Sequence, residues 1–494
     1  MGKNDLKKVV NGYLYNAASS RDPEVTKSTL FKHHLKGRRY LEKGTTYYYE
    51  EVEPVLLRNL GNLEAARPAN DATIPELVAN LRRAMGVGAD HMNDLHWRAW
   101  AGFKASDNKM GSLFSKITGR PEIEAADLVL GLDHMTSRVS KRLIGLAVLV
   151  KSDPWLSEVF STRDYQALFT RGNGFRPALR KFRTRFRSLL KTWGCRNGIG
   201  YGSAWKPPDP TWNMQPEIPL DSIGSFARQD PEKQQRDHPK LVEKRKSAIR
   251  AVRKKIGRNS NLLKKFEFEL FKVTHHTKMM EGHNYLIEQR TYGEYRESIN
   301  RVGMALVRGE WIDVADDVFY LRLAEMDDAV SSDDYSGLRW SVAEAKAERE
   351  ENSKLERPDF IGTKPPEKEK DNDKDEPLRG LSEDGLTLHG EASSPGAFTG
   401  TARVVITRTS RPPDVKKGSI LVTENTGPDW VPVFPLIGAL VLDGGDNFQH
   451  ASLISREYGI PCVIQTKEAT SKIADGQMIT VDGSAGTVML NPLV

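Results

Sequence analysis

The segment "GGDNFQHASLISREYGIPCV" runs from Gly444 to Val463 and decides the fold of the C-terminal part of the chain. The apolar run "ALVLD" leads into two glycines, and "HASLISREYG" then has a helical pattern before a second apolar run. This order predicts a strand–loop–helix–strand unit with His450 at the N-terminal edge of the helix. Free backbone N–H groups and the positive end of the helix dipole gather there, so a phosphate on the imidazole would be well solvated. Arg456, in the same short helix, adds positive charge if its side chain points back.

Short apolar runs surround this unit and predict a compact α/β domain over residues 386–494. The runs "TARVVIT", "SILVTEN", "PCVIQT", "MITVDGS" and "GTVML" are bounded by Gly, Pro and Asp, as strands are. Residues 346–385 end in a charged, proline-containing stretch that cannot bury apolar surface, which predicts a flexible linker. Residues 1–345 read mainly as helix. The expected fold class is therefore multidomain α plus α/β, with a large helical substrate-binding domain before the α/β domain.

One stretch of the helical part cannot be helix. "WGCRNGIGYGSAWKPPDPTWNMQPEIPL" (Trp193–Leu220) is dense in Gly, Pro and Trp. A loop of this length inside a compact domain usually lines a site. Its tryptophans, Trp193, Trp205 and Trp212, wall an apolar pocket or pack in the core, and core packing is favoured for each one singly. Arg196 and Lys206 from the same stretch are candidates to hold an anionic substrate or phosphate, with surface residence equally open.

Composition and cysteine content exclude several classes of protein. The chain has 494 residues and a net charge of +7. The longest apolar run, Leu143–Val150, is far too short to cross a bilayer, so no membrane partner is expected. The first residues contain no apolar core of signal-peptide length. Cys195 and Cys462 lie far apart without metal-ligand spacing, which favours two reduced thiols in a cytoplasmic protein.

Basic residues are concentrated in Lys240–Lys265. A phosphate-rich polymer is one partner that such a stretch attracts. A long helix with solvated basic faces is preferred, because apolar residues recur at helical spacing and no aromatic side chains interleave with the charges. The sequence therefore predicts no nucleic-acid partner.

The C-terminal motifs together resemble a known family. "GEASSPGAFTGTARVV", "GSILVTENTGPDWVPVFPLIGALVLDGG", "QHASLISREYGIPCVIQT" and "ATSKIADGQMITVDGSAGTV" occur in order between Leu388 and Leu490. They resemble the mobile phosphohistidine domain of the phosphoenolpyruvate-utilising enzymes, which include phosphoenolpyruvate synthase and rifampin phosphotransferase. The resemblance implies that His450 is phosphorylated and that its domain swivels between two active sites.

The helical part resembles one member of that family. "YRESINRVGMALVRGEWIDVADDVFYLRLAEMDDA" is similar to the end of the antibiotic-binding domain of rifampin phosphotransferase, and "KMMEGHNYLIEQ" is similar to a helix of that domain. The resemblance implies a small organic substrate held by the helical part. The adjacent Asp316 and Asp317 are expected to cap a helix rather than to bind a metal, and no metal site is predicted.

The stretch "HHTKMMEGHNYLIEQR" supplies candidate groups to meet His450. Four polar residues at i, i+3, i+7 and i+10 are predicted to share one helical face: Lys278, Glu281, Tyr285 and Glu288. Glu281 and His283 are candidate acid–base groups, and Lys278, Tyr285, Glu288, Arg196, Lys206 and Trp205 are candidate substrate-binding residues. An ordinary polar helix with a Lys278–Glu281 ion pair is an equally open interpretation.

The sequence shows no Walker-type phosphate loop and no strand-rich N-terminal half. We therefore expect no cofactor in this chain, and ATP or phosphoenolpyruvate, with Mg²⁺, to act through a separate ATP-grasp or other loading protein. The expected function is that of a His-dependent small-molecule phosphotransferase. Gln449, where the family has Ser or Thr, favours a dehydratase, lyase or isomerase that uses His450 as general acid or base. A non-catalytic regulator, in which His450 is replaceable, is a third possibility.

Overall fold

The structure is a computed structural model that describes most of the chain. The described residues are 7–10, 13–16, 48–69, 71–96, 109–170, 176–196, 210–355, 379–406, 413–426, 428–445 and 450–490. The helices are α1 (Glu53–Ala65), α2 (Ile74–Asp90), α3 (Lys109–Thr118), α4 (Met135–Ser152), α5 (Pro154–Thr162), α6 (Pro177–Trp193), α7 (Glu217–Ala227), α8 (Pro231–Ile256), α9 (Ser260–His283), α10 (Tyr292–Arg308), α11 (Leu323–Ser332), α12 (Leu338–Ser353), α13 (His450–Tyr458) and α14 (Ala469–Lys472).

The strands lie at the two ends of the chain. They are β1 (Lys7–Val10), β2 (Tyr13–Asn16), β3 (Gly380–Leu381), β4 (Thr387–His389), β5 (Glu391–Ser394), β6 (Ala397–Val405), β7 (Ile420–Thr423), β8 (Ala439–Leu442), β9 (Cys462–Ile464), β10 (Met478–Asp482) and β11 (Thr487–Leu490). Strands β1 and β2 form an antiparallel hairpin inside the region predicted to be mainly helical. Asn-Gly between two strand-like runs is a strong hairpin signal in a sequence, and the sequence analysis missed it at Asn11 and Gly12, which lie outside the described residues.

The chain divides into two compact units. The first unit comprises Met1–Lys43, Arg58–Asp90 and Tyr295–Glu376, and the second comprises Gly44–Leu57, His91–Glu294 and Pro377–Val494. The core of the first unit joins α2, α10, α11 and α12 through buried residues that include Leu81, Val302 and Leu306. In the same unit the Asp317 carboxylate accepts the backbone N–H of Val314, which confirms its predicted capping role.

The second unit contains α3 to α9 and the large sheet. Helix α8 begins at an Asp230 cap and ends at Gly257, whose φ of 63° is the left-handed conformation that favours glycine. The Asn259 side chain then caps α9 by accepting the Leu262 N–H at 3.0 Å. The basic stretch therefore lies on the end of α8 and the start of α9, as expected for helices with solvated basic faces. Val252 is buried in a core cluster with residues of α3 and α9.

The large sheet has the strand order β3-β4-β11-β10-β6-β7-β8-β9-β5. Strands β6 to β9 are parallel, and the remaining pairs are antiparallel. Because successive side chains of a strand point to opposite faces, the residues of β7 belong to two separate hydrophobic cores. Leu421 packs with α13 on one face, and Ile420 and Val422 pack with α14 on the other. The expected α/β architecture is thus present in the C-terminal part.

The predicted linker bounds differ from the observed elements at both ends. Residues 346–353 form the last two turns of α12, because Ala, Glu, Lys and Arg are strong helix formers. Strand β3 starts at Gly380, ahead of the predicted domain start. Residues 356–378 lie outside the described residues, so the three-part domain division stays a prediction.

Truncation of Leu421 tests how far the sheet depends on its α13-facing core. Leu421 is fully buried. We expect Leu421→Ala to cost about 2–5 kcal/mol of unfolding free energy, because the lost transfer energy adds to that of a cavity. Urea denaturation followed by hydrogen exchange of peptides from residues 415–464 measures this. Leu386→Ala, at a side chain 56% exposed, is the control and should change the free energy by at most about 0.5 kcal/mol.

None of the described helices has the length and apolar character that crossing a membrane requires. Neither Cys195 nor Cys462 forms a disulfide. Cys462 is completely buried in β9, and burial raises the pKa of its thiol to about 11.

Candidate active site

His450 lies where the strand–loop–helix pattern places it. Strand β8 ends at Leu442, and the chain turns through Gly444 and Gly445, whose φ is 102°. Only glycine adopts such a backbone conformation readily. The Gln465 side chain donates to the Gly445 carbonyl at 2.9 Å and holds this turn against the neighbouring strand. His450 is therefore fixed beside the carboxyl end of a parallel strand, where ligands of open α/β sheets bind.

A buried carboxylate faces His450 from the last turn of α9. Oε1 of Glu281 lies 3.7 Å from Nδ1 of His450, at ion-pair distance, and both side chains are almost fully buried. The other carboxylate oxygen of Glu281 accepts the hydroxyl of Thr136, near the start of α4. Nε2 of His450 has no hydrogen-bond partner among the described residues. The carboxylate thus engages one ring nitrogen and leaves the other to react.

A second histidine extends this contact. Nε2 of His134 lies 3.3 Å from a carboxylate oxygen of Glu457 in α13, and its Nδ1 lies 3.7 Å from Glu281. His134 is also the N-cap of α4, and its Nδ1 lies 3.4 Å from the Ser137 N–H. A neutral ring can cap the helix, and a protonated ring can instead pair with Glu281. The face of α13 that carries His450 and Glu457 is therefore docked on α4 and α9.

Each group in the cluster of Glu281, His134, His450 and Glu457 favours the charged form of its neighbours of opposite sign. Burial raises the pKa of Glu281, but His450 and His134 outweigh it and lower the pKa to about 2. Burial lowers the pKa of His134, but Glu457 and Glu281 raise it above its usual value. Glu281 is therefore ionised at neutral pH, and its charge can orient an imidazole N–H and stabilise an imidazolium.

The raised pKa of His134 predicts a pH-dependent stability. A group whose folded pKa is raised contributes stability fully below its unfolded pKa, about 6.5, and this is lost as the pH rises through the folded value. Glu281 stays ionised in that range. We expect the unfolding free energy of the wild type to fall more steeply above pH 6.5 than that of His134→Gln. Urea denaturation of both proteins from pH 6 to pH 8.5 measures the difference, and parallel curves would contradict the assignment.

The predicted common face of α9 is not kept. Helix α9 ends at His283, and residues Asn284–Thr291 form a π-helical segment whose wider turn breaks the 3.6-residue period. Tyr285 is buried, packs with its ring tilted against that of Trp193 and donates its hydroxyl to the Thr192 carbonyl at 2.7 Å. Lys278 is half-buried, and the Glu281 carboxylate pairs with histidines rather than with this lysine.

His283 and Glu288 form a different cluster together with His96. The candidate ligand atoms of these three residues lie within 4.8 Å of one another. Burial lowers the pKa of His96 to about 4 and that of His283 to about 3. Burial also raises the pKa of Glu288 to about 7, although part of this residue is exposed. The structure thus brings Glu281 to His450 and places His283 elsewhere.

The remaining predicted residues lie at other places. Nε of Arg456 donates to the Ser393 carbonyl at 2.8 Å, which ties α13 to β5. Arg196 is buried and its guanidinium lies 5.2 Å from the centroid of the Trp212 ring. Trp193 and Trp212 are buried in the core, as favoured from the sequence. Lys206, Trp205 and Gln449 lie outside the described residues.

One described cavity, of about 240 Å³, lies apart from the predicted residues. Its polar lining includes Arg163, Asp221 and Arg228, and the segment 413–415 closes one side. Neither His450 nor Glu281 lines it. We therefore build the candidate active site on the histidine–carboxylate contact and not on this cavity.

Sequence reasoning missed three residues of the cluster that Glu281 and His450 form in the structure. Thr136 and His134 come from a segment without family resemblance in the sequence analysis, where "LDHMTSR" signals only a capped helix start. Glu457 stood inside the quoted "REYGIP" motif. Its spacing of seven residues from His450 places both on one helical face, which was a usable signal.

Comparison with family models identifies two segments of the chain. Residues 415–486 match the mobile domain of the phosphoenolpyruvate-utilising enzymes. Residues 95–276 match the fourth domain of rifampicin phosphotransferase. Both family resemblances are therefore confirmed, although the fourth-domain match ends before the motifs at residues 278–289 and 295–329 from which the sequence analysis argued it. The mobile-domain match contains His450 and Glu457, and the fourth-domain match contains His134.

Three curated proteins are similar to parts of this chain or to most of it. Chondramide synthase cmdD of Chondromyces crocatus is 24% identical over 477 residues, which are 89% of this chain and 12% of that protein. Phosphoenolpyruvate synthase of Pyrococcus furiosus is 48% identical over 103 residues, 21% of this chain and 12% of the synthase. The uncharacterized phosphotransferase YvkC of Bacillus subtilis is 29% identical over 217 residues, 42% of this chain and 25% of its own length. The chain thus spans 12% to 25% of the length of these relatives.

Proposed function

We propose that this chain is a cytoplasmic, His-dependent phosphotransferase that acts on a small organic molecule. His450 carries a phosphoryl group from a donor site on another protein to a hydroxyl held by the helical part of the second unit. The mobile-domain match and the phosphotransferase relatives support a role in phosphoryl transfer. The observation that carries the proposal is the buried contact between Nδ1 of His450 and Glu281, with Nε2 left without a partner among the described residues.

This contact makes Nε2 the nucleophile. A carboxylate beside Nδ1 favours the tautomer with its proton on Nδ1, and the lone pair then lies on Nε2. Phosphorylation of Nε2 gives a cationic ring that Glu281 stabilises. The His450 side chain is 6% exposed, so few water molecules reach a phosphohistidine in the docked state.

The two transfer steps balance. First, the Nε2 lone pair attacks the donor phosphorus, and the P–N bond forms as the P–O bond to the leaving group breaks. Then the acceptor hydroxyl oxygen attacks the same phosphorus, the P–N bond breaks and the hydroxyl proton passes to solvent. The neutral Nδ1–H tautomer of His450 is regenerated. In-line positioning and positive charge supply most of the catalysis in such transfers.

The donor in this proposal is ATP or phosphoenolpyruvate, bound with Mg²⁺ by an ATP-grasp or other loading protein. Swivelling of the C-terminal domain between that protein and the helical part is part of the proposal. Lys278 and Arg196, with Lys206 and Trp205 from the stretch outside the described residues, are the proposed contacts to the substrate.

Intact-mass spectrometry tests the carrier role. The full chain and His450→Ala are incubated with Mg²⁺, each donor and a candidate loading protein, and kept at alkaline pH. We expect the wild type to gain the mass of one phosphoryl group and the variant to gain none. An equal gain in both proteins would place the phosphoryl group elsewhere, and no gain with either donor would reject the carrier role.

The same contact also favours a second candidate function. A buried carboxylate that orients an imidazole is the usual arrangement of a general acid–base pair. A donor-independent dehydratase, lyase or isomerase would use His450 to remove and return a substrate proton. Substrate turnover without ATP or phosphoenolpyruvate, lost in His450→Ala, would identify this function instead.

A further inference from the structure

We propose that His96, His283 and Glu288 form a binding site for a divalent transition-metal ion in the second unit. This site goes beyond the proposed phosphoryl transfer and uses none of the groups in contact with His450. Two imidazoles and one carboxylate are the ligand set of several zinc and non-haem iron sites. Their candidate ligand atoms lie within 4.8 Å of one another.

His283 is oriented as a metal ligand. Its Nδ1 lies 3.3 Å from the Met279 carbonyl oxygen, so the ring donates Nδ1–H to the backbone. The other nitrogen, Nε2, then carries a lone pair, and it has no hydrogen-bond partner among the described residues. The residue is completely buried. Histidine ligands commonly donate their second ring N–H to a backbone carbonyl in this way, which fixes the tautomer and the ring orientation.

The π-helical segment brings the carboxylate to this histidine. Residues five apart in an α-helix lie about 140° apart around the axis, so an unbroken α9 would point Glu288 away from His283. The i→i+5 geometry of a π-helical turn places residues five apart on nearly the same face. Residues Asn284–Thr291 adopt that geometry, and π-helical turns occur frequently at functional sites.

The third ligand comes from a segment that is held against this turn. The rings of His96 and His283 have centroids 5.3 Å apart. A second π-helical segment, His91–Leu95, immediately precedes His96. Nδ1 of His91 lies 2.8 Å from the Thr291 hydroxyl, which itself donates to the Leu286 carbonyl at 2.7 Å. These bonds fix the two segments relative to each other and hold His96 near His283.

The ligand set selects a class of metal. Imidazole nitrogens suit Zn²⁺, Fe²⁺ and Co²⁺, whereas Mg²⁺ and Ca²⁺ prefer oxygen ligands. A tetrahedral ion with bonds of about 2.1 Å separates its ligand atoms by about 3.4 Å, so binding requires each pair of ligand atoms to approach by at most about 1.4 Å. Small rotations of the side chains achieve this.

Titration of the untagged full chain with Co²⁺ tests the site through the visible absorption of the ion. We expect saturable binding of one ion per chain after dialysis against a chelator, and competition by Zn²⁺. The isosteric Glu288→Gln variant keeps the shape of the cluster and should bind at least about tenfold more weakly. His283→Gln should do the same.

His275→Gln is the matched control. His275 lies on the same helix and makes the same bond to a carbonyl four residues earlier, that of Phe271 at 2.9 Å. It is not part of the cluster, and its variant should bind Co²⁺ as the wild type does. Absence of saturable binding in the wild type would overturn the proposal. Equal affinity in the wild type, Glu288→Gln and His283→Gln would show binding elsewhere and would also overturn it. Neither result depends on phosphorylation of His450.

Discussion

A His450→Asn variant is expected to transfer phosphoryl groups at least about 1,000-fold more slowly than the wild type, because it lacks the nucleophile. Asparagine keeps a polar group near the Glu281 carboxylate, so the fold should survive. The measurement is single-turnover consumption of labelled donor in the presence of the loading protein. The mass of the variant should stay unchanged after the same incubation.

His389→Asn is the control for this substitution. His389 is a half-buried histidine of β4 and makes none of the described contacts of His450. Its variant should consume donor within about threefold of the wild-type rate, since surface substitutions away from a site have small effects. A His450→Asn variant that retained full phosphoryl transfer would reject the proposed function and favour a regulatory role.

A Glu281→Gln variant is expected to separate the two halves of the reaction. Glu281 belongs to α9, so it meets His450 when α13 is docked on the helical part. Loading from an external donor should therefore continue at close to the wild-type rate. Release to the acceptor should slow by about 100-fold, because the amide no longer holds the ring and its phosphoryl group in the orientation that in-line attack requires. Time-resolved intact-mass spectrometry should show a phosphorylated chain that accumulates and persists.

Glu457→Gln is the matched control for Glu281→Gln. Glu457 contacts His134 and not the ring of His450, and glutamine can still accept the His134 N–H. Its release rate should fall by less than about tenfold. If both variants released the phosphoryl group equally fast, Glu281 would have no chemical role. If Glu281→Gln could not be loaded, the carboxylate would act at the donor side instead.

The sequence predicted the C-terminal architecture well because local signals agree there. Apolar runs bounded by Gly and Pro became β6 to β11, and the helix that begins at His450 follows a glycine turn as expected. A buried parallel strand needs a continuous apolar run, and its ends need turn residues, so the pattern carries most of the information. The pairing order of the strands was not predicted, since it depends on contacts between distant segments.

The candidate site was predicted in part. The structure places Glu281 3.7 Å from His450, as one of the two open interpretations had it, but His283, which that interpretation paired with Glu281, lies elsewhere. The shared face of Lys278, Tyr285 and Glu288 was lost because a 3.6-residue period cannot anticipate a π-helical turn. His134 was missed because its role depends on contact with Glu457, which lies far from it in the sequence.

The spacing of two contacts on α13 has a mechanical consequence. His450 and Glu457 are seven residues apart, which is about 10 Å along a helix. With a single contact to α4 and α9, α13 and the sheet on which it packs could rotate about that point. Two anchors on one face, at Glu281 and His134, remove this pivot and fix the direction in which the His450 ring is aimed. The contact between Glu457 and His134 therefore sets the tilt of α13. Weakening it would change the direction of Nε2 of His450, although neither residue contacts that nitrogen.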